Sequence, residues 1–150
     1  MRFYLIDRIT RWEPGAAAEA VKNIALSEDF FEDHFPRQPV MPGVLMLEGM
    51  SQLAALLLEA SLQARSGRST RAVMTALERT KFRSMGQPGD ALHYRVEVTQ
   101  LDDAGGRVRA EAKRGDELVA ATEMTFDLKP AEDPALDERR RKLMKLWMVP

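Results

Sequence analysis

Gly43-Val-Leu-Met-Leu-Glu48-Gly-Met-Ser-Gln52-Leu-Ala-Ala-Leu-Leu-Leu-Glu-Ala-Ser-Leu-Gln-Ala64 contains no proline and is made mostly of good helix formers. Its apolar positions, Val44, Leu45, Leu47, Met50, Leu53, Ala54, Leu57 and Leu58, cover almost the whole circumference of a helix. A helix of that kind belongs inside a protein, with other elements wrapped around it. Pro42 marks its start, and the loop from Arg65 to Thr70 marks its end.

The flanking sequence supplies the wrapping. Residues 2–12 mix β-branched and aromatic residues with charges and then meet Pro14-Gly15, which predicts a strand and a turn. Residues 19–26 alternate, with Ala20, Lys22, Ile24 and Leu26 on one side, and predict a second strand paired with the first. Ser27 offers an N-cap for a single helical turn at Glu28-Asp-Phe-Phe-Glu. After the helix, four strands are expected at 72–82, 92–100, 107–113 and 118–128, separated by Pro88-Gly89-Asp90, residues 102–106 and Gly115-Asp116. In the second of these Leu92, Tyr94, Val96 and Val98 face one way, while His93, Arg95, Glu97 and Thr99 face the other. The pattern reads as an α+β layer architecture in which an antiparallel sheet curls around one long central helix.

Composition narrows the chemistry. The chain of 150 residues is 45% apolar and carries 22 Lys and Arg against 23 Asp and Glu, so no global field draws it onto nucleic acid or an anionic membrane. It has no cysteine, which removes disulfides, thiolate metal sites and a cysteine nucleophile. Charges at positions 2, 7 and 8 leave no apolar core of secretory length. Val44 to Leu58 is interrupted by Glu48, Ser51 and Gln52 and falls short of the about 20 residues a membrane span needs. A soluble, cytoplasmic protein with no membrane insertion is expected.

Two residues stand out ahead of and within the helix. Glu48 sits in the first turns of an otherwise apolar helix, where burial favours the protonated form and so an acid role. His34 lies in a loop stiffened by Pro36, Pro39 and Pro42, which suits a positioned base. Gln52, four residues after Glu48, can hold that carboxyl's orientation. The helix N-terminus at Gly43 and Val44 presents unpaired N–H groups for a developing oxyanion, and Gly43 permits close approach to the backbone. The other histidine, His93, reads as a surface residue.

The segment His34-Phe-Pro…Pro39-Val-Met-Pro-Gly-Val-Leu-Met-Leu-Glu48…Gln52 resembles the 3-hydroxyacyl-acyl-carrier-protein dehydratases of fatty acid synthesis. Weaker similarity through residues 2–8, 20–23, Lys81-Phe-Arg and Pro88-Gly-Asp extends the likeness over residues 1–128. The resemblance implies a hot-dog fold and a homodimer, or a trimer of such dimers, whose site pairs His34 of one subunit with Glu48 of the other. It implies His34 as the base at C2, Glu48 as the acid toward the 3-hydroxyl, and Gly43 as a backbone donor to the thioester carbonyl. A mechanism in which His34 serves both steps, with Glu48 and Gln52 orienting the leaving group, uses the same residues. No metal or other cofactor is implied, the substrate being carried on the phosphopantetheine of acyl carrier protein.

Phe82 and Met85 are candidates to border the acyl chain, and Arg37, Arg79, Lys81 and Arg83 to dock the carrier. Arg37, Gly49 and Ser51 depart from the family pattern, and Gly49 implies close approach of another segment to the helix. Residues 129–150 form an extension beyond the likeness, expected to be helical with Leu136, Leu143 and Trp147 packed on the same domain. Alternative functions are a hot-dog acyl thioesterase and a non-catalytic acyl-binding partner subunit.

Overall fold

A computed structural model describes residues 3–148; Arg2, at the expected start of the first strand, and residues 149–150 of the tail lie outside them. The elements are β1 (Arg8–Glu13), β2 (Ala17–Asn23), a 3-10 turn (Asp29–Glu32), α1 (Gly43–Ser66), β3 (Thr70–Phe82), β4 (Ala91–Leu101), β5 (Gly105–Arg114), β6 (Glu117–Pro130) and α2 (Pro134–Trp147). The six strands form one antiparallel sheet in the order β1-β2-β4-β5-β6-β3, with α1 packed across it.

Alternation decides which side of the sheet meets the helix. Leu92, Tyr94 and Val96 of β4, Val108, Ala110 and Ala112 of β5, and Ala120, Met124 and Phe126 of β6 are buried against Met50, Leu53, Leu57 and Leu58 of α1. Each fully buried large aliphatic side chain contributes about 2 kcal/mol, so this layer supplies most of the folding drive. The helix runs to Ser66, slightly beyond the expected end, and stops because Gly67 adopts φ 71° and its N–H bonds Gln63 O at 2.8 Å.

Several local expectations need correction. β1 begins only at Arg8, because residues 3–5 leave the sheet and cross α1, where Gln52 bonds their backbone. β2 ends at Asn23 and Leu26 is 69% exposed, since the chain turns away toward the 3-10 turn. Glu28, not Ser27, occupies the N-cap of that turn, without a side-chain bond. At 24 residues, α1 is long and apolar enough by composition to cross a bilayer, whereas the interrupted stretch Val44 to Leu58 was expected to be too short. Its packing against the sheet accounts for that apolarity.

α1 has a second, less covered stripe at Glu48, Gln52, Ala55, Leu56 and Glu59, facing away from the sheet. Residues 3–5 and α2 lie over it. Asp133 caps α2 by accepting from Ala135 N at 2.9 Å, Trp147 is buried, and Arg140 pairs with Glu59.

Candidate active site

The loop ahead of α1 is closed by its own backbone. Phe35 and Gln38 exchange N–H···O bonds of 3.3 and 3.0 Å around Pro36-Arg37, and Val40 N donates to His34 O at 3.1 Å. Arg37 is exposed and holds an ordinary negative φ, so nothing in this turn demands glycine. Met41 N donates to Gly86 O at 2.8 Å, which moors the loop to the segment after β3.

His34 is half-buried, and its Nδ1 lies 2.9 Å from Val40 O. A carbonyl oxygen only accepts, so Nδ1 carries the proton and the neutral ring keeps its lone pair on Nε2. The loop therefore selects the tautomer that a base at Nε2 requires. The ring also stacks on Phe35 with centroids 4.2 Å apart.

Pro42 caps α1 without a side-chain bond, which leaves the Gly43 and Val44 N–H groups at the positive end of the helix with no partner one turn back. A Cβ on Gly43 would stand 2.7 Å from the Phe82 ring, so the missing side chain makes room for Phe82 beside these donors. Phe82, Met85, Val44 and Phe35 are 49%, 57%, 67% and 53% exposed, an apolar surface at this end of the chain.

Glu48 lies in the second turn and is half-buried within one protomer, less covered than its apolar neighbours suggest, because it falls on the stripe facing away from the sheet. Gln52 Nε2 donates to Glu48 Oε1 at 3.2 Å. Within the protomer no hydrogen bond joins His34 to Glu48 among the described residues. Cavities of about 370, 330, 250 and 240 Å³ take in neither residue. Arg37, Arg79, Lys81 and Arg83 are all exposed; Arg79 sits in a β3 bulge at φ 51° and faces Glu123 at 3.7 Å.

Residues outside the expected set also support this region. Lys22 is buried on the inward face of β2 and reaches Glu28 at 2.6 Å and Asp7 at 3.8 Å, tying the strand to the loop that leads to His34. A lysine at an inward position of an alternating strand was the available signal. Glu59 accepts from Ala72 N at 2.8 Å as well as from Arg140, and burial pushes its carboxyl above the usual range while Arg140 pulls it back. Among the described residues no group of three His, Asp or Glu side chains is placed to hold a metal ion.

A curled antiparallel sheet around one long helix, with a histidine loop and a carboxyl flanking the helix N-terminus, defines a hot-dog-fold protein. The family model described as FabA-like domain matches residues 1–123, and the chain belongs to that family. It is 40% identical over 126 residues to the 3-hydroxyacyl-[acyl-carrier-protein] dehydratase FabZ of Bacillus velezensis, covering 84% of this chain and 87% of the relative. It is 38% identical over 122 residues to the FabZ of Thioalkalivibrio sulfidiphilus, covering 79% and 82%. Among solved structures, the dehydratase heterocomplex ApeI:P of Xenorhabdus doucetiae superimposes with a TM-score of 0.67 at 10% identity, over 90% of this chain and 88% of the other. A hypothetical thioesterase with coenzyme A from Streptococcus pneumoniae gives 0.64 at 11% identity, over 84% and 88%. At such identities these two likenesses speak to the fold alone.

Proposed function

We propose that the chain converts a 3-hydroxyacyl-acyl-carrier-protein thioester into the 2-enoyl thioester in fatty acid biosynthesis, by a site shared between two subunits. The observation that carries this reading is His34, whose Nδ1–H is spent on Val40 O so that Nε2 is free to act as base. Nε2 takes the C2 proton, and charge builds on the thioester oxygen facing the Gly43 and Val44 N–H groups. As the C2=C3 bond forms, the C3–O bond breaks and Glu48 of a second subunit delivers a proton, so the hydroxyl leaves as water. The elimination is redox-neutral, with water as the leaving group, and the reaction calls for no cofactor beyond the phosphopantetheine that carries the acyl group.

Support for the shared site comes from the missing link within one protomer: His34 and Glu48 are not bonded, and the apolar surface around Phe82 and Met85 is uncovered. A homodimer, or three such dimers, covers that surface and lines an acyl channel with Phe82 and Met85. Exposed Arg37, Arg79, Lys81 and Arg83 form the docking surface for the acidic carrier protein. The protein works in the cytoplasm in this reading.

Enoyl absorbance from a 3-hydroxyacyl carrier-protein substrate is expected with wild type. His34→Ala and Glu48→Gln are expected to lower turnover by about 100-fold or more while remaining folded. Release of free thiol would transfer the reading to thioester hydrolysis, and inactivity across chain lengths would leave an acyl-binding subunit. A Glu48→Gln variant that keeps most of its turnover would assign both proton steps to His34.

A further inference from the structure

Gln52 makes three hydrogen bonds that together decide which way its amide points. Leu5 N donates to Oε1 at 3.1 Å, while Nε2 donates to Phe3 O at 2.9 Å and to Glu48 Oε1 at 3.2 Å. A backbone N–H only donates and a backbone carbonyl only accepts, so a flipped amide would oppose two donors at Leu5 and two acceptors at Phe3. Residues 3–5 therefore aim the second N–H of Gln52 at Glu48.

What holds residues 3–5 lies at the far end of the chain. The Tyr4 ring meets Trp147 edge-on, with centroids 6.0 Å apart and planes at 84°. Trp147 is the buried residue of α2, and Leu143 and Arg140 join it around a cavity of about 250 Å³ shared with Phe3, Tyr4 and Gln52. Two turns before Trp147, Arg140 is ion-paired with Glu59, which fastens α2 to the same stripe of α1 that carries Gln52 and Glu48. α2 lies beyond the residues matched by the family model, yet it braces the segment that orients the site amide.

We propose that α2 is a positioning element for the dehydratase site: through Trp147 and Tyr4 it holds residues 3–5 in the place that orients Gln52, and Gln52 in turn holds Glu48. The inference rests on the dehydratase reading above. Trp147 touches no reacting atom and acts only through this chain of contacts. The extension outside the family domain thereby tunes turnover without forming any part of the substrate's walls.

The test uses the full chain with Trp147→Ala, Trp147→Phe and Arg140→Gln, read in two ways. Amide hydrogen exchange at Leu5, whose N–H bonds Gln52, is expected to accelerate in Trp147→Ala while β4 and β5 amides keep their protection. Steady-state kinetics are expected to show kcat down about tenfold for Trp147→Ala, with most of it restored by Trp147→Phe. KM is expected to stay within about twofold. Unchanged Leu5 protection in Trp147→Ala overturns the proposal, as does lost protection with wild-type kcat. A rise in KM alone would instead make α2 a substrate wall. Should Trp147→Ala fail to fold, Arg140→Gln must show the same paired change in Leu5 exchange and kcat, and its absence counts against the inference. If wild type itself forms no enoyl thioester, the dehydratase reading fails on that control, and the brace is judged separately from Leu5 exchange.

Discussion

Gly49 and Tyr94 show how one residue choice forces another. A Cβ on Gly49 would lie 2.5 Å from the Tyr94 hydroxyl and 2.7 Å from its ring, so the helix approaches β4 only because position 49 has no side chain. Alanine is worth about 1 kcal/mol more than glycine in a helix, but overpacking of this kind costs about 1–3 kcal/mol. Gly49→Ala is therefore expected to lower the urea midpoint rather than raise it. The Tyr94 hydroxyl is buried without a hydrogen-bond partner among the described residues, and burial also drives its ionisation well above the usual range. Tyr94→Phe is expected to be neutral or stabilising by up to about 1 kcal/mol. Adding it to Gly49→Ala is expected to recover part of the loss, a coupling that a double-mutant cycle reads directly. The close approach at Gly49 was legible in the sequence, because an interior helical glycine called for one; that the partner is Tyr94 was not, since the contact joins residues 45 positions apart.

At the scale of elements, α1 has two working faces. One is buried by the sheet; the other carries Glu48, Gln52 and Glu59 and is covered by residues 3–5 and α2, with the start of β3 reaching Glu59 through Ala72 N. Glu59 makes the stability of the fold sensitive to pH. Burial raises its carboxyl, against the opposing pull of Arg140 and Arg71, so the folded chain binds this proton more tightly than the unfolded chain. Stability from this group is thus greatest at acid pH, falls as pH rises from the ordinary carboxylate value through the raised one, and is flat above it. Glu59→Gln is expected to remove that slope in urea midpoints measured from about pH 4 to 7. A slope of unchanged size in the variant would assign it to other carboxyls.

On the scale of the whole molecule, the sheet leaves β3 as a long edge with Val73, Met74 and Leu77 exposed at 42%, 37% and 40%. An unpaired edge with apolar side chains favours pairing with a second chain. In a two-fold dimer whose sites each take His34 from one subunit and Glu48 from the other, a His34→Ala chain paired with a Glu48→Gln chain has one intact site. Unfolding and refolding an equal mixture of the two inactive variants is expected to recover about a quarter of wild-type turnover, from random pairing. A mixture as inactive as its parts would place both residues of a working site on the same subunit.

The sequence by itself determined the elements and set the candidate groups His34, Glu48 and Gln52 close together in the chain. The proline-free run of helix formers over residues 43–64 and the period of 2 over β4 and β5 are local properties of the chain, and so is the His34 to Glu48 segment. Tertiary structure decided what depends on contacts between distant residues. It drew residues 3–5 off the sheet and onto Gln52, set Lys22 against Glu28, and left Glu48 on the open stripe of α1. It also seated Trp147 on Tyr4, 143 positions away. Such choices are made by which surfaces remain uncovered once the helix has entered the sheet, and no local pattern carries that information.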